Sequence, residues 1–169
     1  MTTKTSVKDV LNEFEAHKDR LSKTNSAIVS IRDDFGLEQI QAFEVIAREL
    51  IQGIDAITLT ITNLQRPVSH PDAAKVLEGL KGIRPGVETV ANSLITRQST
   101  STLIAAPIAS INDLIAQLLI VAHDSTIKLC DACIDIAPTP EIEAEKRRVG
   151  QEFDNIVRSV RNVYPTPRQ

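Results

Sequence analysis

The stretch from Pro107 to Ile136 constrains this chain most: it reads as one long helix that is apolar around most of its circumference. At 100° per residue, Ile108, Ile111, Leu114, Ile115, Leu118, Leu119 and Ala122 cover more than half of the helical wheel. Asp113, Gln117, Asp124 and Asp131 gather on a narrow opposite strip. A helix of this kind belongs inside a bundle. Asn112, His123 and Cys130 nevertheless fall together on the flank of its apolar face, because their spacings are close to whole numbers of turns. Such a polar line needs partners: side chains, water or a ligand.

The remaining periodicity is also helical. A first helix is predicted from Ser6, with Ser6 and Asp9 as a capping box, Val7, Val10, Leu11, Phe14 and Leu21 as its stripe, and His17 at the edge of that stripe in a surface role. The polar run Ser22 to Ser26 is expected to interrupt it before Ile28 and Ile31. A second helix follows Asp33, Asp34 and Gly36, and its stripe from Ile40, Phe43 and Ile46 carries through Ile57, Ile61 and Leu64 despite the intervening threonines. A third follows Pro67 and Pro71, with Val76, Leu80, Ile83, Val87, Val90 and Leu94 on one side; Pro85, flanked by Gly82 and Gly86, predicts a kink or break. Thr96 to Thr102 reads as a loop, and the wholly apolar Leu103 to Ala106 as a connection that covers something. The last helix starts cleanly, with Thr139 as cap, Pro140 in the first turn and Ile142, Val149, Phe153, Ile156, Val157, Val160 and Tyr164 as its stripe. Pro165 and Pro167 close the tail. The expected fold is a single all-α domain over residues 1–169, a five-helix up-and-down bundle with the Pro107 to Ile136 helix at its centre.

Composition removes several function classes. With 19 basic and 22 acidic residues in 169, a net charge of −3 and no block of like charge, neither a nucleic-acid partner nor a polybasic membrane patch is expected. Aromatic residues are only 3%, so stacking platforms are lacking and the core must be aliphatic. No apolar run approaches the roughly 18 residues of a membrane span, so no integral membrane association is expected. The amino terminus lacks the apolar run of a signal peptide. The chain as written is therefore expected in the cytoplasm, or secreted or in the cell wall if a native leader has been removed.

Catalytic signatures are missing. There is no phosphate-binding glycine loop, no G-x-S-x-G, no H-E-x-x-H and no di-metal Glu-x-x-His pair, so no catalytic residue, metal or cofactor is assigned. Cys130 and Cys133 form a C-x-x-C with no second pair, and His17, His70 and His123 show no ligand spacing; packed thiols are the simpler reading. His123 reads either as a core-edge histidine satisfied by a backbone carbonyl or water, or, with Asn112, as a polar handle on a ligand. Thr58 and Thr62 are expected to bond their own preceding turn. The scarcity of large aromatic fillers and the apolar Leu103 to Ala106 segment point toward a cavity between the helices.

The run Gln41-Ala42-Phe43 to Asn63, the Leu94-Ile95 pair before a polar segment, the apolar helix from Ile108 to Ile136, the Pro138 junction and Phe153-Asp154-Asn155-Ile156-Val157 together resemble the fungal hydrophobic surface-binding protein A and cell-wall galactomannoprotein antigens. The likeness covers roughly Asp33 to Tyr164 and rests on helical pattern. It implies a compact five-helix bundle that binds apolar surfaces or encloses fatty acids in a central tunnel. Members are usually secreted, with a leader and a Ser/Thr-rich tail. Neither is present in the chain as written, which counts against the cell-wall role more than against the fold; an intracellular relative could carry a lipid or a polyketide-like metabolite, or could have turned its cavity to catalysis.

The function expected is thus that of a carrier rather than an enzyme: a long apolar ligand held along the Pro107 to Ile136 helix. Ile111, Ile115, Leu118 and Leu119 would form its wall, Phe43, Ile46 and Phe153 would face them, and Asn112 or His123 would mark a polar end. The alternatives are a cavity enzyme acting on an apolar metabolite through Asn112 or His123, and a self-associating helical module. No feature sets the oligomeric state.

Overall fold

The computed structural model describes residues 5–32, 36–101 and 107–164, with the backbone alone at 99–101 and 107–110. Five helices account for almost all of it: α1 (Val7–Ser30), α2 (Leu37–Thr62), α3 (His70–Ser101), α4 (Pro107–Asp135) and α5 (Pro140–Val163). Among the described residues no strand forms, and Thr5 and Leu64 make an isolated bridge. Asp33, Asp34, Leu103 to Ala106, Pro165 and Pro167 lie outside the described residues.

Local signals start the helices where the sequence places them. Ser6 and Asp9 close a complete capping box at α1, Asp9 N donating to Ser6 Oγ at 3.3 Å and Ser6 N to Asp9 Oδ2 at 2.8 Å. Thr139 caps α5, with Pro140 in its first turn. The start of α3 differs slightly. Ser69 is its cap, accepting from Asp72 N at 3.3 Å, so Pro71 falls inside the first turn, where its missing N–H is harmless.

Three expected interruptions do not occur. α1 runs unbroken through Ser22 to Ser26, because Leu21, Thr24 and Ile28 keep one buried row while the serines face outward. α3 is continuous through Pro85, so of the kink or break expected there the break does not form: the ring removes one backbone donor, and the packing of α3 on its neighbours outweighs that loss. Nor is Thr96 to Ser101 a loop. It continues α3, and the Arg97 guanidinium ties this turn to Asn112 Oδ1 of α4 at 2.8 Å.

Neighbour relations reveal a ring. α1 packs on α2 and α3, α3 on α5, α5 on α4, and α4 back on α2, while α3 and α4 touch only slightly. Spatial order is therefore α1, α2, α4, α5, α3. Directions alternate along the chain, as expected of an up-and-down bundle. Lys23 with Glu49 and Arg20 with Gly53 run α1 against α2, and His123 with Asp154 and Cys130 with Gly150 run α4 against α5. The seams α1/α3 and α3/α5 are parallel, marked by Phe14 on Gly79, Asn25 with Ser93, Lys81 with Glu145 and Arg84 with Glu152. Arg66, just past α2, donates to the carbonyl of Asp135 at the end of α4 at 3.2 Å, so that seam is parallel too. α4 is one stave among five, with the interior against one face, rather than an axis the others surround.

The base of the ring, beside the α2–α3 and α4–α5 connections, is solid. Val10, Phe14, Ile57, Ile61, Val76, Cys133 and Val149 are all at most 1% exposed. Gly79 lets the Phe14 ring approach α3, since a Cβ there would lie 2.5 Å from Phe14 Cδ2. Lys146 is the anomaly. Its side chain is 0% exposed and its Nζ has no hydrogen-bond partner among the described residues, so burial pushes its pKa below the usual amine value.

An unpartnered buried amine opposes folding. The unfolded chain binds more protons than the folded one between the lowered pKa and the ordinary value, so this contribution to stability rises with pH in that window. Lys146→Met is expected to stabilise the protein at pH 7 by about 1–3 kcal/mol, with the gap narrowing as pH rises toward the amine's ordinary value. Urea unfolding across pH checks this, and a less stable Met variant would contradict it.

Candidate functional site: an apolar cavity inside the ring

Above the solid base the interior opens into a cavity of about 120 Å³ to which every helix contributes. α1 supplies His17, Leu21, Thr24 and Ile28; α2 supplies Phe43, Ala47, Leu50, Ile51 and Ile54; α3 supplies Leu80, Ile83, Val87, Val90, Ala91 and Leu94. α4 contributes Ile115, Leu118, Leu119, Ala122, Thr126, Leu129 and Cys130, and α5 contributes Phe153, Ile156, Val157 and Val160. The lined span on α1, from His17 to Ile28, is about 16 Å at 1.5 Å per residue. The cavity is an elongated slot parallel to the helices. A second concavity, of about 580 Å³, lies at the base between Arg66–Val68 and Asp135–Pro138 and is open to solvent.

Each helix reaches the slot by the same device, a buried row at 3- and 4-residue spacing. In α1 the row is Val10, Phe14, His17, Leu21, Thr24 and Ile28, and in α5 it includes Val149, Phe153, Val157 and Val160. Side chains that fill the row at the base are followed, higher up, by Ala47, Ala91, Ala122, Val87 and Val90, which are too short to meet across the ring.

The residues assigned from sequence divide in two. Phe43, Ile115, Leu118, Leu119 and Phe153 all line the cavity. Ile111 is 2% exposed and belongs to the packed core, and Ile46 is half-buried; neither lines the slot. Asn112 and His123 are also outside it. Asn112 Oδ1 accepts from Arg97, while His123 Nε2 lies 2.7 Å from Asp154 Oδ1 and its Nδ1 3.2 Å from Arg161 Nη1, both on α5. The bond from His123 holds the Asp154 carboxyl below the ordinary carboxylate range, with Arg158 adding to it. His123 therefore finds side-chain partners across a helix seam rather than the backbone carbonyl or water expected of a core-edge histidine.

Cys130 lines the cavity and Cys133 lies beneath it, both free. Burial pushes both thiols up to about 12, which keeps them protonated and unreactive, in line with packed thiols. Thr58 and Thr62 donate to the carbonyls of Ile54 and Thr58, as expected. Among the described residues no three His, Cys, Asp or Glu side chains converge to hold a metal ion, and no helix is long and apolar enough to cross a membrane.

The residue that sequence reading misplaced is His17. It was expected at the surface and is 1% exposed, with its ring in the cavity floor. Gly53 of α2 makes room for it: a Cβ there would stand 2.7 Å from His17 Nδ1 and 2.8 Å from Arg20 Cδ. Burial, with the Arg20 charge adding to it, pushes the imidazole down to about 4, so it is neutral at physiological pH. Thr24 and Thr126 also line the slot, but their hydroxyls are spent on the carbonyls of Arg20 and Ala122, at 2.8 and 2.7 Å.

No protein-family model matches the sequence, and no curated protein matches it at the sequence level. Solved structures do match the fold. A protein designated AFMP4P, solved with palmitic acid, superposes with a TM-score of 0.83 at 19% identity, over 95% of this chain and 100% of that one. Ligand-binding domain 2 of the Penicillium marneffei MP1 protein, solved with multiple arachidonic acids, gives 0.76 at 12% identity over 95% and 94% of the two chains. Ligand-binding domain 1 of the same protein, with arachidonic acids, gives 0.75 at 12% identity over 96% and 99%. The chain thus has the fold of these fungal domains over nearly its whole length.

A neutral buried histidine makes stability depend on pH. Its folded pKa, about 4, lies below the ordinary 6.5, so its contribution is fully present above 6.5 and is lost as pH falls toward 4. Between pH 7 and pH 4 the unfolding free energy of the wild type is expected to fall relative to that of His17→Leu, whichever is the more stable at pH 7. An unchanged difference across that range would refute it.

Proposed function

We propose that this protein is a non-enzymatic carrier that encloses a long apolar small molecule, of the fatty-acid class, in the slot between its five helices. The observation that carries the reading is the slot itself: an elongated space, lined by aliphatic and phenyl groups from every helix, whose threonine hydroxyls are already bonded to backbone. Water gains little in such a space, whereas an alkyl chain leaves water at about 0.8 kcal/mol per buried methylene. The palmitic and arachidonic acids in the structures of the same fold support the ligand class. Phe43, Ile115, Leu118, Leu119 and Phe153 form the contact wall in this reading. Ile111 belongs to the packed core, Asn112 and His123 bond to neighbouring helices, and Ile46 lies outside the wall. We read the chain as a distant relative of the fungal hydrophobic surface-binding protein A and galactomannoprotein antigens, on the helical pattern of residues 33–164 together with the shared fold.

Native mass spectrometry of gently purified protein is expected to show an added mass of fatty-acid size. The delipidated protein is expected to bind palmitic or arachidonic acid at micromolar concentration. Ala91→Phe, which places a ring in the slot from α3, is expected to weaken binding more than tenfold while circular dichroism still reports a folded helical protein. An apo mass together with no binding at micromolar concentration would overturn the proposal.

A further inference from the structure

Toward the base, the slot is last lined by His17 of α1, Ile54 of α2, Leu80 of α3, Cys130 of α4 and Phe153 of α5. One turn further down, Phe14, Ile57, Cys133 and Val149 continue the same rows without lining it, each at most 1% exposed. Phe14 is the largest fully buried side chain among the described residues. Its ring rests on the α3 backbone at Gly79, the residue before Leu80, where a Cβ would stand 2.5 Å from Phe14 Cδ2 and 2.9 Å from Cε2. Below the ring, Val10 and Val76 are 0% exposed, so the ring has packed side chains beneath it and free volume only above.

We propose that Phe14, seated on Gly79, is the floor that sets the longest alkyl chain the slot encloses, and so selects ligands by chain length. This rests on the carrier reading above. Each methylene taken out of water raises affinity about fourfold. That gain ends at the methylene that meets the Phe14 ring, and the remainder of a longer chain stays outside the apolar wall.

The test measures affinities of saturated fatty acids from octanoic to eicosanoic by displacement of a fluorescent fatty acid. In the wild type, affinity is expected to climb about fourfold per methylene and then level at a break. Phe14→Ala opens the row down to Val10, one turn lower, and moves the break to longer chains; the acid two methylenes past the wild-type break gains about tenfold. Gly79→Ala forces the ring off α3 into the free volume above it, and moves the break to shorter chains. Opposite shifts from the two sides of one contact are not what a loosened core produces. Should Phe14→Ala fail to fold, Phe14→Leu takes its place, with a smaller shift in the same direction. A break unmoved in the folded Phe14 variant, or moved the same way by both substitutions, would overturn the floor while leaving the carrier intact, as would a wild type whose affinity climbs without a break. A wild type that binds none of the series overturns both.

Discussion

Five helices in a closed ring cannot meet at a common axis. With neighbouring axes 8–10 Å apart, the centre of a regular five-membered ring is about 7–8.5 Å from each axis, whereas a helix with its side chains reaches about 5–6 Å. A central gap a few ångströms wide follows, close to the width of an alkyl chain. Only side chains long enough to cross it can fill it. At the base Phe14, Ile57 and Ile61 do so; above them Ala47, Ala91, Ala122, Val87 and Val90 do not, and the slot is what they leave. The cavity is thus the geometric remainder of the ring order, released or filled by side-chain length at each level.

That ring order depends on α3. A simple meander would set each helix beside the next in sequence, but here the α2–α3 connection carries the chain across the base to the far side of α1. The parallel seams α1/α3 and α3/α5 follow. Ion pairs such as Lys81 with Glu145 and Arg84 with Glu152 mark the register of α3 on α5, though pairs this exposed contribute little to stability. Buried rows on both faces of each seam carry the weight, with Tyr164 anchoring the end of α5 by donating its hydroxyl to the Leu94 carbonyl at 2.8 Å.

Helix number, most boundaries and the alternation of direction were legible because they rest on local signals: the Ser6 and Thr139 caps, the proline positions and the periodic rows. Wall residues Phe43, Ile115, Leu118, Leu119 and Phe153 were legible for the same reason, since a row that faces a core also faces a cavity within it. Breaks at Ser22 to Ser26, at Pro85 and after Thr96 were read from propensity alone, and tertiary packing overrode it. The polar partners were out of reach. Nothing local shows that Asn112 meets Arg97 or that His123 meets Asp154 and Arg161 across two seams. His17 was different: the spacing 10, 14, 17, 21, 24, 28 is an unbroken buried row, and a histidine and a threonine within it were the signal. Reading polarity ahead of position put His17 outside.

The seams have one more consequence. In a barrel of strands, girth is set by hydrogen bonds running from one stave to the next, and widening the wall means breaking them. Here the backbone bonds of the long helices stay within each helix, and neighbouring staves are held by side chains. The circumference is therefore governed by rotamers and small slides of packed surfaces, at no cost in backbone hydrogen bonds. The volume between the helices is a property of side-chain packing, with no backbone hydrogen bond between the long helices, among the described residues, to fix it.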